Sequence, residues 1–266
     1  MTRTAISPRL AIRIFWSTGA NVGPVGSRGD IWEAVSWPAG WDVRHVTETG
    51  STNSDLLTAL EAGEAGDRSV LVADHQTAGR GRLDRRWDAP SGTNLLVSIA
   101  IAPVPPVAAD ATHRVALAAL GAARSVRVEA DVALKWPNDL LVGGGKLAGI
   151  LAQRSPVTDA LVVGLGLNVG WSPDGAARLG DGVQPAEVLR RVLLEFDRLP
   201  REIGPSYRAA LATLGQRVRI ELPGDRMVVG TAHDVDTVGR LVLTLDDGST
   251  AAYDVGDVVH LRPAAR

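Results

Sequence analysis

Apolar residues come in short runs, and Gly, Pro and charged stretches separate them. Val70-Leu71-Val72-Ala73 is a continuous apolar run and residues 94–102 a mostly apolar one of strand length, which predicts buried β-strands. Leu56, Leu57 and Leu60 form a stripe directly behind Ser51-Thr52-Asn53. That pattern predicts a helix whose first N–H groups the hydroxyl and amide side chains can cap. Pro103 to Pro106 breaks the second strand, and the Ala-rich segment 111–128 then has helical spacing. Three further strands are predicted at 132–136, 139–142 and 146–153. The last two are joined by Gly143-Gly144-Gly145, which reads as a hairpin turn. A strand at 161–168 and helices at 185–199 and 204–214 follow.

The texture changes at Gly215. Five short β-rich runs (217–221, 227–234, 241–245, 250–254 and 258–261) alternate with turn residues, which predicts a small barrel. Residues 1–27, rich in Gly, Pro and Ser from position 19 onward, read as a flexible tail. The pattern therefore predicts an α+β chain. A mixed-sheet domain flanked by helices spans 28–214, and a small all-β domain spans 215–266.

Charge and composition narrow the function. The 266 residues carry a formal net charge of -2, which gives no overall attraction to DNA or to an anionic membrane. There is no cysteine, so disulfides, thiolate metal sites and cysteine nucleophiles are excluded; this fits a cytoplasmic protein. No apolar run reaches the roughly 18 residues a membrane helix needs. The histidines at 45, 75, 113, 233 and 260 lack metal-ligand spacing.

Three constellations carry candidate chemistry. Gln76-Thr-Ala-Gly-Arg-Gly-Arg-Leu-Asp-Arg-Arg-Trp87 places four arginines and two glycines in one loop. Glycine lets backbone approach a ligand, and the guanidinium fork matches phosphate oxygens. A solvated basic loop has the same composition. The segment matches neither the P-loop nor the dinucleotide fingerprint. Lys135-Trp-Pro-Asn-Asp139 and Lys146-Leu-Ala-Gly-Ile150 set two lysines and a carboxylate near the ends of apolar strands. A cation there can offset charge developing on a carboxylate or phosphate, and a carboxylate can help hold Mg²⁺. A plain Lys–Asp pair at a sheet edge is the alternative. Gly164-Leu-Gly-Leu-Asn168 puts glycines inside a strand, which marks close approach of a ligand or of another part of the chain.

In this order, across residues 42–262, these segments resemble the biotin protein ligase family. The resemblance implies a catalytic domain of the biotin/lipoate ligase type with a C-terminal SH3-like barrel. It implies ATP-dependent attachment of biotin, through biotinyl-5′-AMP, to one lysine of the biotin carboxyl carrier domain of an acetyl- or acyl-CoA carboxylase. By the same resemblance Ser51, Thr52, Asn53, Gln76, Arg80, Gly81, Arg82 and Lys146 bind biotin. Arg82, Arg85, Trp87, Lys135, Asn138 and Asn168 bind the nucleotide. Lys146, Arg82 and Asp139 are catalytic, with Asp139 supporting Mg²⁺. Asp84 stands where the family loop usually has Gly. No DNA-binding pattern precedes the matched region, so a partner other than DNA or a membrane is expected. A lipoate or octanoate ligase or transferase and a biotin-sensing regulator are the alternative readings.

Overall fold

The computed structural model describes residues 30–83, 85–127, 130–222, 224, 226–254 and 257–260. The expected N-terminal tail and the Asp84 departure lie outside the described residues. In chain order come α1 (Asp30–Glu33), β1 (Asp42–Thr49), α2 (Thr52–Glu61), β2 (Ser69–Gln76), β3 (Leu95–Ile101) and α3 (Ala109–Val126). They are followed by β4 (Val132–Lys135), β5 (Asp139–Val142), β6 (Gly145–Arg154), β7 (Leu161–Leu167), α4 (Pro185–Arg198) and α5 (Gly204–Ala210). The seven strands form one mixed sheet in the order β1-β2-β3-β7-β6-β5-β4. Only the β1–β2 pair is parallel.

Period-two alternation assigns the two faces of this sheet. Val163, Leu165 and Leu167 of β7 join the core that holds α3 and α4, so Gly164 and Gly166 face the other way. On that other face α2 packs Leu56 and Leu60 against Leu71, Ala100 and Val162. Each leucine buried in this way contributes roughly 1.5–3 kcal/mol. The β5–β6 hairpin turns on Gly143 and Gly144, both at positive φ (55° and 84°), as a tight two-residue connection requires.

The second sheet is antiparallel and holds β8 (Arg217–Leu222), β9 (Arg226–Val235), β10 (Leu241–Thr244), β11 (Thr250–Tyr253) and β12 (Asp257–His260). Its order is β11-β10-β9-β8-β12; the five short runs are the strands that the pattern predicts, and the unit is the SH3-like one that the resemblance implies. Its apolar side, with Val218, Ile220, Leu241 and Leu243, joins the same core as the large sheet. Trp136 is a joint between the two: its backbone N–H donates to Thr213 Oγ1 at 3.0 Å and its indole N–H to Gly239 O at 3.1 Å. The tryptophan is buried, and it also borders the cleft described below.

Three expectations are corrected. The helix predicted over 204–214 stops at Ala210, because Leu211 pairs with Leu134 and Ala212 N–H donates to Leu134 O. Ser51, the residue at the N-terminal boundary of α2, makes no side-chain cap. Gln76 of β2 caps the helix instead, its Oε1 accepting from Thr52 N–H at 2.8 Å. The segment after Gln76 is not an open loop. Arg80 and Arg86 form a bridge, Trp87 N–H donates to Gly79 O and Gly81 N–H to Arg85 O, so the arginines ride on a small hairpin.

Candidate active site

A cleft of about 1160 Å³ opens on the α2 side of the large sheet. Its walls include the start of α2, the end of β2, the arginine hairpin, the ends of β4 to β7, and Glu221 and Val258 of the small sheet. Ser51, Thr52, Asn53, Gln76, Arg80, Gly81, Arg82, Arg85, Trp87, Lys135, Asn138, Asp139, Lys146 and Asn168 all line it. Residues separated by more than a hundred positions thus meet in one concavity.

At one end a polar network organises the helix start. Thr52 Oγ1 donates to Gln76 Oε1 at 3.0 Å. Ser98 Oγ, buried in mid β3, lies 2.7 Å from Thr52 Oγ1 and 2.5 Å from Asn53 Oδ1. Its single proton serves one of them at a time. Asn53 Nδ2 donates to Leu151 O at 3.1 Å and to Gln153 Oε1 at 2.9 Å. The Asn53 amide is therefore committed on every side, and it sits where a side chain at Gly164 would be: a Cβ there would collide with it. Gln76 keeps its Nε2 donors, which have no protein partner among the described residues. The motif comparison does not single out Ser98 or Gln153. The one signal for Ser98 is a hydroxyl inside the apolar run Leu95-Leu-Val-Ser-Ile-Ala.

At the other end lies the cationic part. Lys146 Nζ sits 2.7 Å from Asp139 Oδ1, with the two side chains 42% and 20% exposed. A half-exposed pair of this kind adds little stability, about 0–1 kcal/mol, so its value is in placing the ammonium. Trp87 covers the strands beside it. Its ring centroid is 5.8 Å from Lys146 Nζ. A Cβ on Gly149 would lie 3.1 Å from Trp87 Cζ3, and one on Gly166 would clash with the indole at Cε2. The strand glycines thus make a flat seat for an aromatic ring. Trp87 Nε1 is buried there without a partner among the described residues. Arg82 Nη1 reaches Asn138 Oδ1 at 3.5 Å, linking the hairpin to the β4–β5 turn.

Asn168 lines the cleft, and its amide is engaged by the protein. Its Nδ2 donates to Lys146 O at 3.3 Å and Ala177 O at 2.9 Å, and its Oδ1 accepts from Asn94 at 3.3 Å. Both donors are used inside the protein, so Asn168 fixes the chain around Lys146. Leu83, at positive φ (55°) and 62% exposed, marks the tip of the hairpin. Among the described residues no group of three or more His, Asp or Glu side chains is gathered for a metal, and no helix is long and apolar enough to cross a membrane.

Residues 46–169 match the model of the Biotin/lipoate A/B protein ligase family, and residues 213–261 that of the Biotin protein ligase C terminal domain. The chain is similar to the biotin--[acetyl-CoA-carboxylase] ligase of Mycobacterium tuberculosis, with 40% identity over 90% of this chain and 97% of that one. It is 33% identical to the ligase of the same description from Paracoccus denitrificans, over 74% of this chain and 92% of that one. Among solved structures, the biotin protein ligase from Aquifex aeolicus in complex with biotin and ATP superposes with a TM-score of 0.69. The identity is 25%, over 84% of this chain and 99% of that one.

Proposed function

This chain belongs to the biotin protein ligase family, and from that membership we propose that it joins biotin to one lysine of a carboxyl carrier domain through biotinyl-5′-AMP. The observation that carries the reading is the convergence of the Ser51–Asn53 end, the arginine hairpin and the Lys146–Asp139 pair in one cleft. The acceptor is the carrier domain of an acetyl- or acyl-CoA carboxylase, in the cytoplasm, with neither DNA nor a membrane as partner. As domains we assign 28–214 to ligation and 215–266 to the wall that closes one side of the cleft.

In the first step a carboxylate oxygen of biotin attacks the α-phosphorus of ATP. The bond from α-phosphorus to the bridging oxygen breaks, and pyrophosphate leaves with the electron pair. Ser51, Thr52 and the Gln76 amide hold the ureido end of biotin. Lys146 holds its carboxylate beside the α-phosphate. Arg82 and Arg85, with Lys135 and Asn138, face the phosphates and ribose. The ammonium and guanidinium groups are already in place, so they offset charge on the phosphoryl oxygens without reorganising during the reaction. Arg80 and Gly81 cover biotin by backbone, and Trp87 screens the anhydride from water.

Mg²⁺ commonly takes one or two protein carboxylates and fills its shell with substrate phosphates and water. Asp139, the carboxylate beside Lys146, fits that donor set, and the ion would neutralise phosphate charge. In the second step a neutral lysine of the carrier attacks the acyl carbon, the acyl–oxygen bond breaks and AMP leaves. The lysine's proton must pass to a base, and Asp139, a carboxylate of the same cleft, is the helper we propose for it.

The test is incubation with labelled biotin, MgATP and an apo carrier domain. Label should reach the carrier only when ATP is present, with unlabelled biotin competing and lipoate not. Competition by lipoate at equal concentration would assign the cleft to the other branch of the superfamily.

A further inference from the structure

One buried carboxylate is left unused by this mechanism. Asp74 lies two residues before Gln76, close to the end of β2 and on the face of the sheet that carries α3 and α4. Trp32 Nε1 donates to its Oδ1 at 3.1 Å. His45 Nε2 of the edge strand β1 lies 3.0 Å from the same oxygen. The Trp32 ring stacks on His45 with centroids 5.2 Å apart and planes 20° apart. Trp32 and Asp74 are both buried. Burying a carboxylate costs several kcal/mol unless its partners repay it, so packing alone does not account for an acid here.

The backbone of the same residue supplies the reason. Asp74 O accepts from Gly92 N–H at 2.8 Å. Between them run the last two residues of β2 and then the segment that carries the arginine hairpin. Asp74 therefore closes the neck of the hairpin with its main chain, while its side chain is held by the Trp32 hydrogen bond, with the His45 ring packed close beside it and making no hydrogen bond through Nε2 among the described residues. On the outgoing side Thr77 and Ala78 N–H donate to Thr49 O and Gly50 O, at 2.9 and 2.8 Å. Arg82 Nη1 adds a contact to Asn138 Oδ1 at 3.5 Å from the hairpin itself.

We propose that Trp32, His45 and Asp74 form a brace at the neck of the arginine hairpin, acting as positioning residues that set how firmly the hairpin holds what lies in the cleft. The brace rests on the proposed function only for its consequence, because the geometry itself can be tested without ligand.

Hydrogen–deuterium exchange of the full ligand-free chain reads it directly. Trp32→Phe keeps the stacked ring and deletes the donor. Exchange over residues 77–92 should then speed up about fivefold or more, while β6 and β7 keep wild-type protection. Asp74→Asn retains an acceptor oxygen and should stay close to wild type, whereas Asp74→Ala should reproduce Trp32→Phe. Bound biotin should leave Trp32→Phe faster than wild type. Unchanged exchange at 77–92 in Trp32→Phe overturns the proposal. So does a rise spread evenly over both faces of the sheet, which would mean a fold contact and no more. If Asp74→Ala does not fold, Trp32→Phe decides alone. If wild type binds no biotin, the functional reading fails while the exchange data still judge the brace.

Discussion

Lys146 Nζ and Asp139 Oδ1 lie 2.7 Å apart, where β5 and β6 slip register between Leu140 and Leu141. The slip pairs Leu141 with Lys146 and Asp139 with Gly149, so the lysine leaves β6 beside the carboxylate instead of one full step away. Lys146→Ala should therefore lower ATP-dependent pyrophosphate release by about 10²–10³-fold, the scale of losing one preorganised charge. Its melting temperature should stay near wild type, since a half-exposed pair contributes little. Pyrophosphate release near the wild-type rate would remove Lys146 from the mechanism.

Gly166 and Trp87 make a second, steric test. A methyl on Gly166 occupies the space of the indole, with Trp87 Nε1 only 2.7 Å from the new carbon. Gly166→Ala should lift Trp87 off its seat and weaken biotin binding by calorimetry roughly tenfold or more, about 1.4 kcal/mol. Gly170→Ala, whose added carbon would meet only the Thr93 carbonyl at 3.3 Å, is the control. Equal affinities in the two variants would mean that the seat plays no part in binding.

Gln76 has two duties that separate experimentally. Its Oε1 caps α2 at Thr52 N–H, and its Nε2 is left for a ligand. Gln76→Ala should cost about 1 kcal/mol in urea unfolding from the lost cap and also weaken biotin binding. Gln76→Glu keeps a capping oxygen beside a helix N-terminus, where a negative charge is favoured, so stability should recover while biotin affinity does not. Recovery of both together would show that the ligand never used the Nε2 donors.

How much of this was readable from the residues alone depends on the kind of signal. Continuous apolar runs such as Val70–Ala73 were plain, and so was the glycine hairpin at Gly143. β1 was not, because six of the eight residues of Asp42-Val-Arg-His-Val-Thr-Glu-Thr49 are polar and the strand is held by parallel pairing with β2. Helix α1 is a single turn of four residues, too short for periodicity to show. The motif residues did converge in the cleft, but their division of labour was hidden. Whether Asn53 and Asn168 face a ligand or spend their amides on carbonyls is fixed by partners far along the chain, Leu151 and Ala177 among them. Ser98 and Asp74 carry no motif, and only tertiary contacts reveal them.

His113 gives the fold a pH dependence. It stacks on Tyr207 at 3.7 Å where α3 and α5 meet. Burial first, and the Arg208 charge second, push it down from 6.5 to about 4. The unfolded chain therefore binds more protons than the folded one between those values, and stability falls as pH drops through that window. The stabilisation is complete above pH 6.5 and is lost towards pH 4, amounting to about 3 kcal/mol at 1.36 kcal/mol per unit. Urea unfolding at pH 7 and pH 4.5 should show a smaller loss in His113→Phe, which stacks but does not titrate. An equal loss in both proteins would place the acid sensitivity elsewhere.

Arg82 sits on the hairpin and reaches Asn138 on the opposite wall. Arg82→Ala should let biotinyl-5′-AMP escape sooner, seen as labelling of bystander lysines in a mixture of unrelated proteins. Leakage equal to wild type would argue that the hairpin does not retain the intermediate.

The central claim is that one cleft activates biotin with ATP and passes it to a single acceptor lysine. Intact-mass measurement of an apo carrier domain, after incubation with the full chain, biotin and MgATP, tests it most directly. The account expects the carrier to gain one biotinyl group, at one lysine, only when ATP is present and Lys146 is intact. A carrier of unchanged mass beside well-folded wild-type protein, or a gain that does not need ATP, would contradict it.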